Sequence, residues 1–259
     1  MPSNLMVDVL GLLSGSLVGF SLGLVGGGGS VLAVPLMIYL VGVPDVHIAI
    51  GTTALAVAVN AAANAVSHAR MGTVKWRCAG VFAAAGMVGA FGGSSLSKIV
   101  DGQRLLVLFA LLMLVIAAVM FFRRSTVGEA DAELSRENLP KLLAAGFLTG
   151  ALSGFFGIGG GFLIVPGLMF ATAMPIINAI GSSLVAVATF GATAAFNYAR
   201  SGLVDWHLAA IFIAGGVGGG LAGGRVAHAL GERRGALNIV FAGIIVLVAI
   251  YMLWRSILA

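Results

Sequence analysis

The sequence predicts an all-α polytopic membrane protein built from two homologous, mutually inverted halves of about five helical segments each, broken at glycine-rich turns. Three observations lead there. Of 259 residues, 60% are hydrophobic and 9% charged, and the mean hydropathy is +1.11, which leaves too few polar side chains to clothe a water-soluble surface. Uncharged runs such as Leu105 to Phe122 approach the roughly 20 apolar residues a helix needs to cross a hydrocarbon core of about 30 Å. The whole series of runs then occurs twice.

In chain order the apolar segments are Leu5 to Val25, Val31 to Val43, Val46 to Val66, Cys78 to Leu96 and Leu105 to Phe122, followed by Leu139 to Phe156, Phe162 to Met174, Ile177 to Tyr198, His207 to Val226 and Ala236 to Trp254. They are continuously apolar rather than alternating, so they read as helices and not as strands of an outer-membrane barrel. The second segment of each half is short: Val31 to Val43 would span about 20 Å as a helix, so it stops short or enters as half a hairpin. Met1 to Leu10 holds Asp8 but no Lys or Arg, unlike the basic start of a cleavable signal, so the first segment is expected to be retained.

The duplication is visible by alignment. LVGGGGSVLAVP at Leu24 to Pro35 matches FFGIGGGFLIVP at Phe155 to Pro166 at an offset of 131, and an offset of 130 places Gly51, Arg70, Gly72, Val74 and Trp76 on Gly181, Arg200, Gly202, Val204 and Trp206. Residues 1–122 and 139–259 are therefore read as two repeats. Arg123–Asn138, RRSTVGEADAELSREN, is the polar linker between them.

An odd number of segments per half inverts the second half relative to the first. Threading ten spans puts Arg70, Lys75, Arg77, Arg123, Arg124, Arg136, Lys141, Arg225, Arg233 and Arg234 on one side, against Lys98, Arg104, Arg200 and Arg255 on the other. If each glycine-interrupted pair instead makes a single crossing, the halves are parallel with four spans each and the basic residues divide nine against five. The stronger bias of the ten-segment threading favours inverted halves in a multi-pass protein of the inner membrane, with both termini on the less basic face. The net charge of +5 thus marks topology, with no basic patch for nucleic acid. Gly215 to Gly224 offers a small-residue face that permits a homodimer without requiring one.

Polar chemistry concentrates at two features. A run such as Gly26–Gly29 costs roughly 1 kcal/mol per glycine relative to alanine inside an α-helix, and a helix broken in lipid needs a cavity to cover its freed backbone groups. The turns thus predict a cavity faced by helix N-termini, which suits an anion. The same glycines would also serve tight helix packing. Second, the third segments carry Thr52, Thr53, Asn60 and Asn64, matched by Ser182, Ser183, Thr189, Thr193 and Asn197. Asn60, Asn64 and His68 share one helix face, and hydroxyls and amides can hold an oxyanion without a fixed charge.

The candidate site is therefore Gly26, Gly27, Gly28, Gly29 and Ser30 with Gly157, Gly159, Gly160 and Gly161; Thr52, Thr53, Asn60 and Asn64 with Ser182, Ser183 and Asn197; and Arg70 and Arg200 at the segment ends. Both arginines precede a tryptophan by six residues, as snorkelling interfacial anchors do. His47, His68, His207 and His228 lack metal-ligand spacing and Cys78 is alone, so no metal is expected. The glycine motif lacks a surrounding strand-turn-helix unit, so no dinucleotide cofactor is expected either. No carboxylate falls at mid-span, against a cation path, and no nucleophile-base pair argues for an enzyme.

LGLVGGGGSVLAVPLM followed by IGTTALAVAVNAAAN, and GFFGIGGGFLIVPGL followed by IGSSLVAV, resemble the TauE/SafE family of sulfite exporters and related anion permeases over nearly the whole chain. The resemblance implies a secondary transporter that exports or exchanges a sulfur-containing anion such as sulfite or an organosulfonate. The residues alone imply a small anion. A transporter or channel for another solute, and a membrane scaffold or sensor that moves nothing, stay open. Gly27 and Ser30 are replaced by Ile158 and Gly161 in the second turn, which predicts an asymmetric cavity.

Overall fold

The computed structural model describes residues 4–122, 135–157, 161–229 and 246–254, and among these every regular element is helical. In order they are α1 (Asn4–Val25), a 3-10 helix (Gly26–Leu32), α2 (Ala33–Pro35) with a π-helical turn (Leu36–Leu40), α3 (Val46–Arg70), α4 (Trp76–Ser97), α5 (Gly102–Phe122), α6 (Leu139–Phe156), α7 (Gly161–Thr172), α8 (Ile176–Arg200) and α9 (Trp206–Ala229). Residues 246–254 form a last helix, α10. Among the described residues, six helices are long and apolar enough to cross a membrane. Their outward faces carry exposed Leu13, Leu17, Val88, Phe147, Leu148 and Phe196, as lipid contact demands. Most of the polar linker, residues 123–134, lies outside the described residues, as do positions 236–245 of the tenth segment.

Capping explains where the aspartates went. Asp45 accepts the N–H groups of His47 and Ile48 at 2.8 and 3.2 Å, Asp101 those of Gln103 and Arg104 at 3.0 and 3.2 Å, and Asp205 that of Leu208 at 3.0 Å. Each carboxylate satisfies the open donors at a helix start. These three aspartates are helix caps, whereas Asp8 lies within α1 and meets His207 Nε2 at 3.1 Å.

Helix directions follow from which residues meet. Gly15, Gly19 and Gly23 of α1 lie on Phe212, Gly216 and Gly220 of α9, and Gly146, Gly150 and Gly154 of α6 lie on Phe82, Gly86 and Ala90 of α4, so both pairs run parallel. A Cβ on most of these glycines would strike the facing backbone, so here small residues do serve close packing. Gly216 and Gly220 meet Asn60 and Asn64, making α3 parallel to α9. Phe190 meets Gly86 and Tyr198 bonds Ser97, making α8 parallel to α4. By contrast, Gly51 meets Leu203 while Gly181 meets Thr73: α3 and α8 run antiparallel.

A topological consequence follows. Since α1 and α3 are both parallel to α9, residues 26–45 must carry the chain back across the molecule, and 157–175 must do the same between α6 and α8. The glycine run supplies the length. A 3-10 helix rises about 2.0 Å per residue against about 1.5 Å for α, so Gly26–Leu32 adds roughly 14 Å ahead of the short apolar stretch. The α-helix does break at the glycines in the first half: α1 ends at Val25, and Gly26, Gly27, Gly28 and Gly29 open a 3-10 helix rather than an open turn, so i to i+3 bonds pair its backbone. In the second half α6 ends at Gly157, with φ 66°, and residues 158–160, including Gly159 and Gly160, lie outside the described residues.

Candidate functional site

The third helices, α3 and α8, cross at the centre, and the second turn of each is tied to the other half. Thr52 Oγ1 accepts the Asp205 N–H at 2.9 Å, and Ser182 Oγ accepts the Lys75 N–H at 2.9 Å. Thr52 and Ser182 are 130 positions apart, as are Lys75 and Asp205, so one contact is made twice. The antiparallel crossing sets these two ties at opposite ends of the pair, separated by on the order of 20 Å of helix rise. Thr53 donates to the Ala49 and Ile50 carbonyls at 2.7 and 3.1 Å and Ser183 to Ile180 at 2.8 Å, so both hydroxyls return to their own helix.

Near the middle of α3 the chemistry differs. Asn60 is 0% exposed, and neither its Nδ2 nor its Oδ1 has a hydrogen-bond partner. Its amide lies on Gly216 of α9, and Asn64 lies on Gly220. Asn64 Nδ2 donates to the main-chain carbonyl of Asn60 at 2.9 Å, which leaves the Asn60 side chain without a partner. Among the described residues, the other buried side-chain atoms without partners are Ser14 Oγ in α1 and Ser153 Oγ in α6. In the second half, the positions of Asn60 and Gly216 are held by Phe190 and Gly86. Phe190 fills the place against Gly86 and stacks on Phe82 with centroids 6.1 Å apart. Thr189 and Thr193 bond back to their own helix at 2.7 to 3.0 Å.

The remaining site residues separate from this point. Asn197 sits toward the end of α8, where its Nδ2 donates to Ser94 and Ser95 at 2.7 and 2.9 Å. Lys98 Nζ donates to Asn197 Oδ1 at 2.9 Å and to Ser201 Oγ at 3.0 Å. Sequence reasoning treated Lys98 as a topology marker and passed over Ser94 and Ser95; the hydroxyl-rich end of the fourth segment, GGSSLSK, was the available signal. Arg70 and Arg200 are exposed at their helix ends, Arg200 over the Phe196 ring at 5.8 Å, in the company of exposed Trp76 and Trp206.

At the turns, Ser30 is fully buried, Gly157 lies against Ile50 and Gly161 opens α7. An open cavity of about 250 Å³ does adjoin the first of these segments, but it is lined by Leu32, Pro35, Leu36, Tyr39, Leu40, Val248 and Tyr251, an apolar set on the side of α10. The small-residue face of α9 is likewise largely used within the chain, since Gly215, Gly216, Gly219, Gly220 and Gly223 meet α1 or α3, while Gly218 and Gly224 face open space. Among the described residues no three His, Cys, Asp or Glu side chains cluster as metal ligands do.

A family model described as "Sulfite exporter TauE/SafE" matches residues 11–252. A protein of Xylella fastidiosa strain 9a5c named "Probable membrane transporter protein" is 55% identical over 244 residues, 94% of each chain. "Probable membrane transporter protein YdhB" of Bacillus subtilis strain 168 is 27% identical over 212 residues, 81% of this chain and 86% of its own. A Haemophilus influenzae protein named "Probable membrane transporter protein" is 29% identical over 202 residues, 75% of this chain and 74% of its own. No solved structure matches the chain.

Proposed function

The chain belongs to the TauE/SafE sulfite exporter family, and from that premise we propose that it is a secondary transporter of the inner membrane. Its cargo is a small sulfur-containing anion, such as sulfite or an organosulfonate, handled where α3 meets α9 at the level of Asn60. One observation carries the placement: a carboxamide buried at mid-span with both polar ends unpaired. Leaving such a group without partners in an apolar interior costs about 1 to 3 kcal/mol, and a ligand that supplies those partners gives it a role.

The rest of the molecule supports this reading. Antiparallel central helices, with parallel pairs α1 with α9 and α4 with α6 exchanged between halves, are the arrangement expected of inverted repeats that rock about a fixed site. The ties at Thr52 and Ser182 hold its two ends. Both ties are formed and Gly216 lies directly on the Asn60 amide, so in this reading cargo enters when α9 parts from α3.

A second reading has an observation in its favour. Gly216 leaves no room beside Asn60, which is also how a scaffold or sensor that moves nothing would be packed. Flux separates the two. Purified full-length protein in proteoliposomes should show saturable movement of labelled sulfite that unlabelled sulfite or an organosulfonate inhibits and a neutral solute does not. Linear, non-exchangeable flux would indicate a channel. No flux of any anion, from protein shown to be folded and inserted, would leave the scaffold.

A further inference from the structure

We infer that Asn60 selects a singly charged oxyanion that still carries a proton. The inference rests on the transport reading above and adds the charge and protonation state of the cargo. A carboxamide presents two N–H donors at one end and a carbonyl acceptor at the other, and in Asn60 both ends are buried and unpaired. A fully deprotonated oxyanion offers acceptors only, so it satisfies Nδ2 and leaves Oδ1 as it was. An ion with acceptor oxygens and one O–H group satisfies both.

Charge points the same way. The cost of moving an ion into a low-dielectric interior scales with the square of its charge, so a dianion costs about four times as much as a monoanion of equal size. Fixed cations could offset that, but none among the described residues stands at this level. Titratable groups on α3 are His47, His68 and Arg70; on the facing α9 they are His207, Arg225 and His228. Asp8 on α1, and Tyr198 and Arg200 on α8, complete the helices around Asn60, with Tyr39 on the segment that returns toward the start of α3. Taking Gly216, Gly19 and the stretch just before Gly191 as the level of Asn60 on α9, α1 and α8, each helix-borne group lies eight or more residues away, about 12 Å of helix rise. Neutral amide donors must therefore carry the ion alone, and they hold a monoanion.

The ranking that follows is specific. The protonated monoanion of sulfite is carried best, an organosulfonate, which is a monoanion without an O–H, is carried less well, and sulfate, a dianion near neutral pH, is excluded.

The test is the flux of labelled sulfite, a sulfonate and sulfate from proteoliposomes of the full chain. Both faces are buffered at a series of pH values spanning the second ionisation of sulfite, and flux in protein-free vesicles is subtracted. Protein-mediated sulfite flux should fall about tenfold per pH unit above that ionisation, sulfonate flux should be smaller and level, and sulfate flux should stay at the protein-free value throughout. Sulfite flux that is level or rises with the dianion overturns the inference while leaving transport standing. No protein-mediated flux of any anion at any pH overturns the transport reading itself. Asn60→Leu should remove sulfite flux from protein that unfolds at a higher temperature than wild type, and wild-type flux in that variant would take the selection away from Asn60.

Discussion

The two halves place a side chain in the same way at the same position and give it opposite chemistry. In the first, Asn60 of the third helix lies on Gly216; in the second, Phe190 lies on Gly86, both residues shifted by 130. Phe190 is fully buried and stacked on Phe82, so its half is sealed by apolar contact. Asn60 is equally buried but leaves a donor and an acceptor unused. The packing geometry, a glycine that receives a side chain from across the interface, is the same at both positions, and the incoming side chain differs. What the halves share is therefore architecture, and what they do not share is where cargo is expected to bind.

The largest effects come from exchanging the two chemistries. Phe190→Asn should cost about 3 to 5 kcal/mol, since it removes a filled aromatic side chain and buries another unpaired amide. Asn60→Leu should gain about 1 to 3 kcal/mol by removing one. Thermal unfolding in a single detergent reads both. Equal losses in the two variants would mean that Asn60 is satisfied after all and that the contrast between halves is one of shape alone.

Next in size are the ties, where the halves should behave alike. Thr52→Val leaves the Asp205 N–H without its acceptor and Ser182→Ala does the same to Lys75, each at about 1 to 3 kcal/mol. Because the ties sit at opposite ends, the variants should open opposite faces. A single cysteine placed beside each tie in a Cys78→Ala background should become reactive to an impermeant maleimide only on the side whose tie is broken. Opening of the same face by both variants would rule out the ties as separate end closures.

How much of this the sequence made legible depends on how local the cause is. The long segments that lie among the described residues came through within a few residues because apolar length is written locally; α3 and α8 run on to Arg70 and Arg200, past Val66 and Tyr198, because polar residues continue a helix at an interface as well as apolar ones do. The glycine run was ambiguous, since four glycines fit a broken turn and a 3-10 helix equally well. Thr52 and Ser182 were visible as polar residues at matched positions. Their partners are backbone groups 153 and 107 residues away, and only the antiparallel crossing reveals them. Asn60 could be singled out only once its surroundings were known: in sequence it is one of several polar residues on the third helices, and what separates it from Thr53 or Asn197 is that those have partners.

The smallest expected effect tests the repeat at its backbone. Gly42, after the first returning segment, has φ 88°, and Ala173, 131 positions on, has φ 55°. Both sit where the chain turns into a third helix, so the turn requires a left-handed residue in each half, but only the first half supplies the residue that adopts it without strain. A Cβ in that conformation costs roughly 1 to 2 kcal/mol. Glycine returns part of this through the greater freedom of the unfolded chain. Ala173→Gly should therefore raise stability by up to about 1 kcal/mol and leave flux unchanged, and Gly42→Ala should lower it by a similar amount. The two shifts should mirror each other. If Ala173→Gly destabilised the protein, the alanine methyl would have to contribute packing worth more than the strain it causes, and the second turn would have acquired a structural role that the first never had.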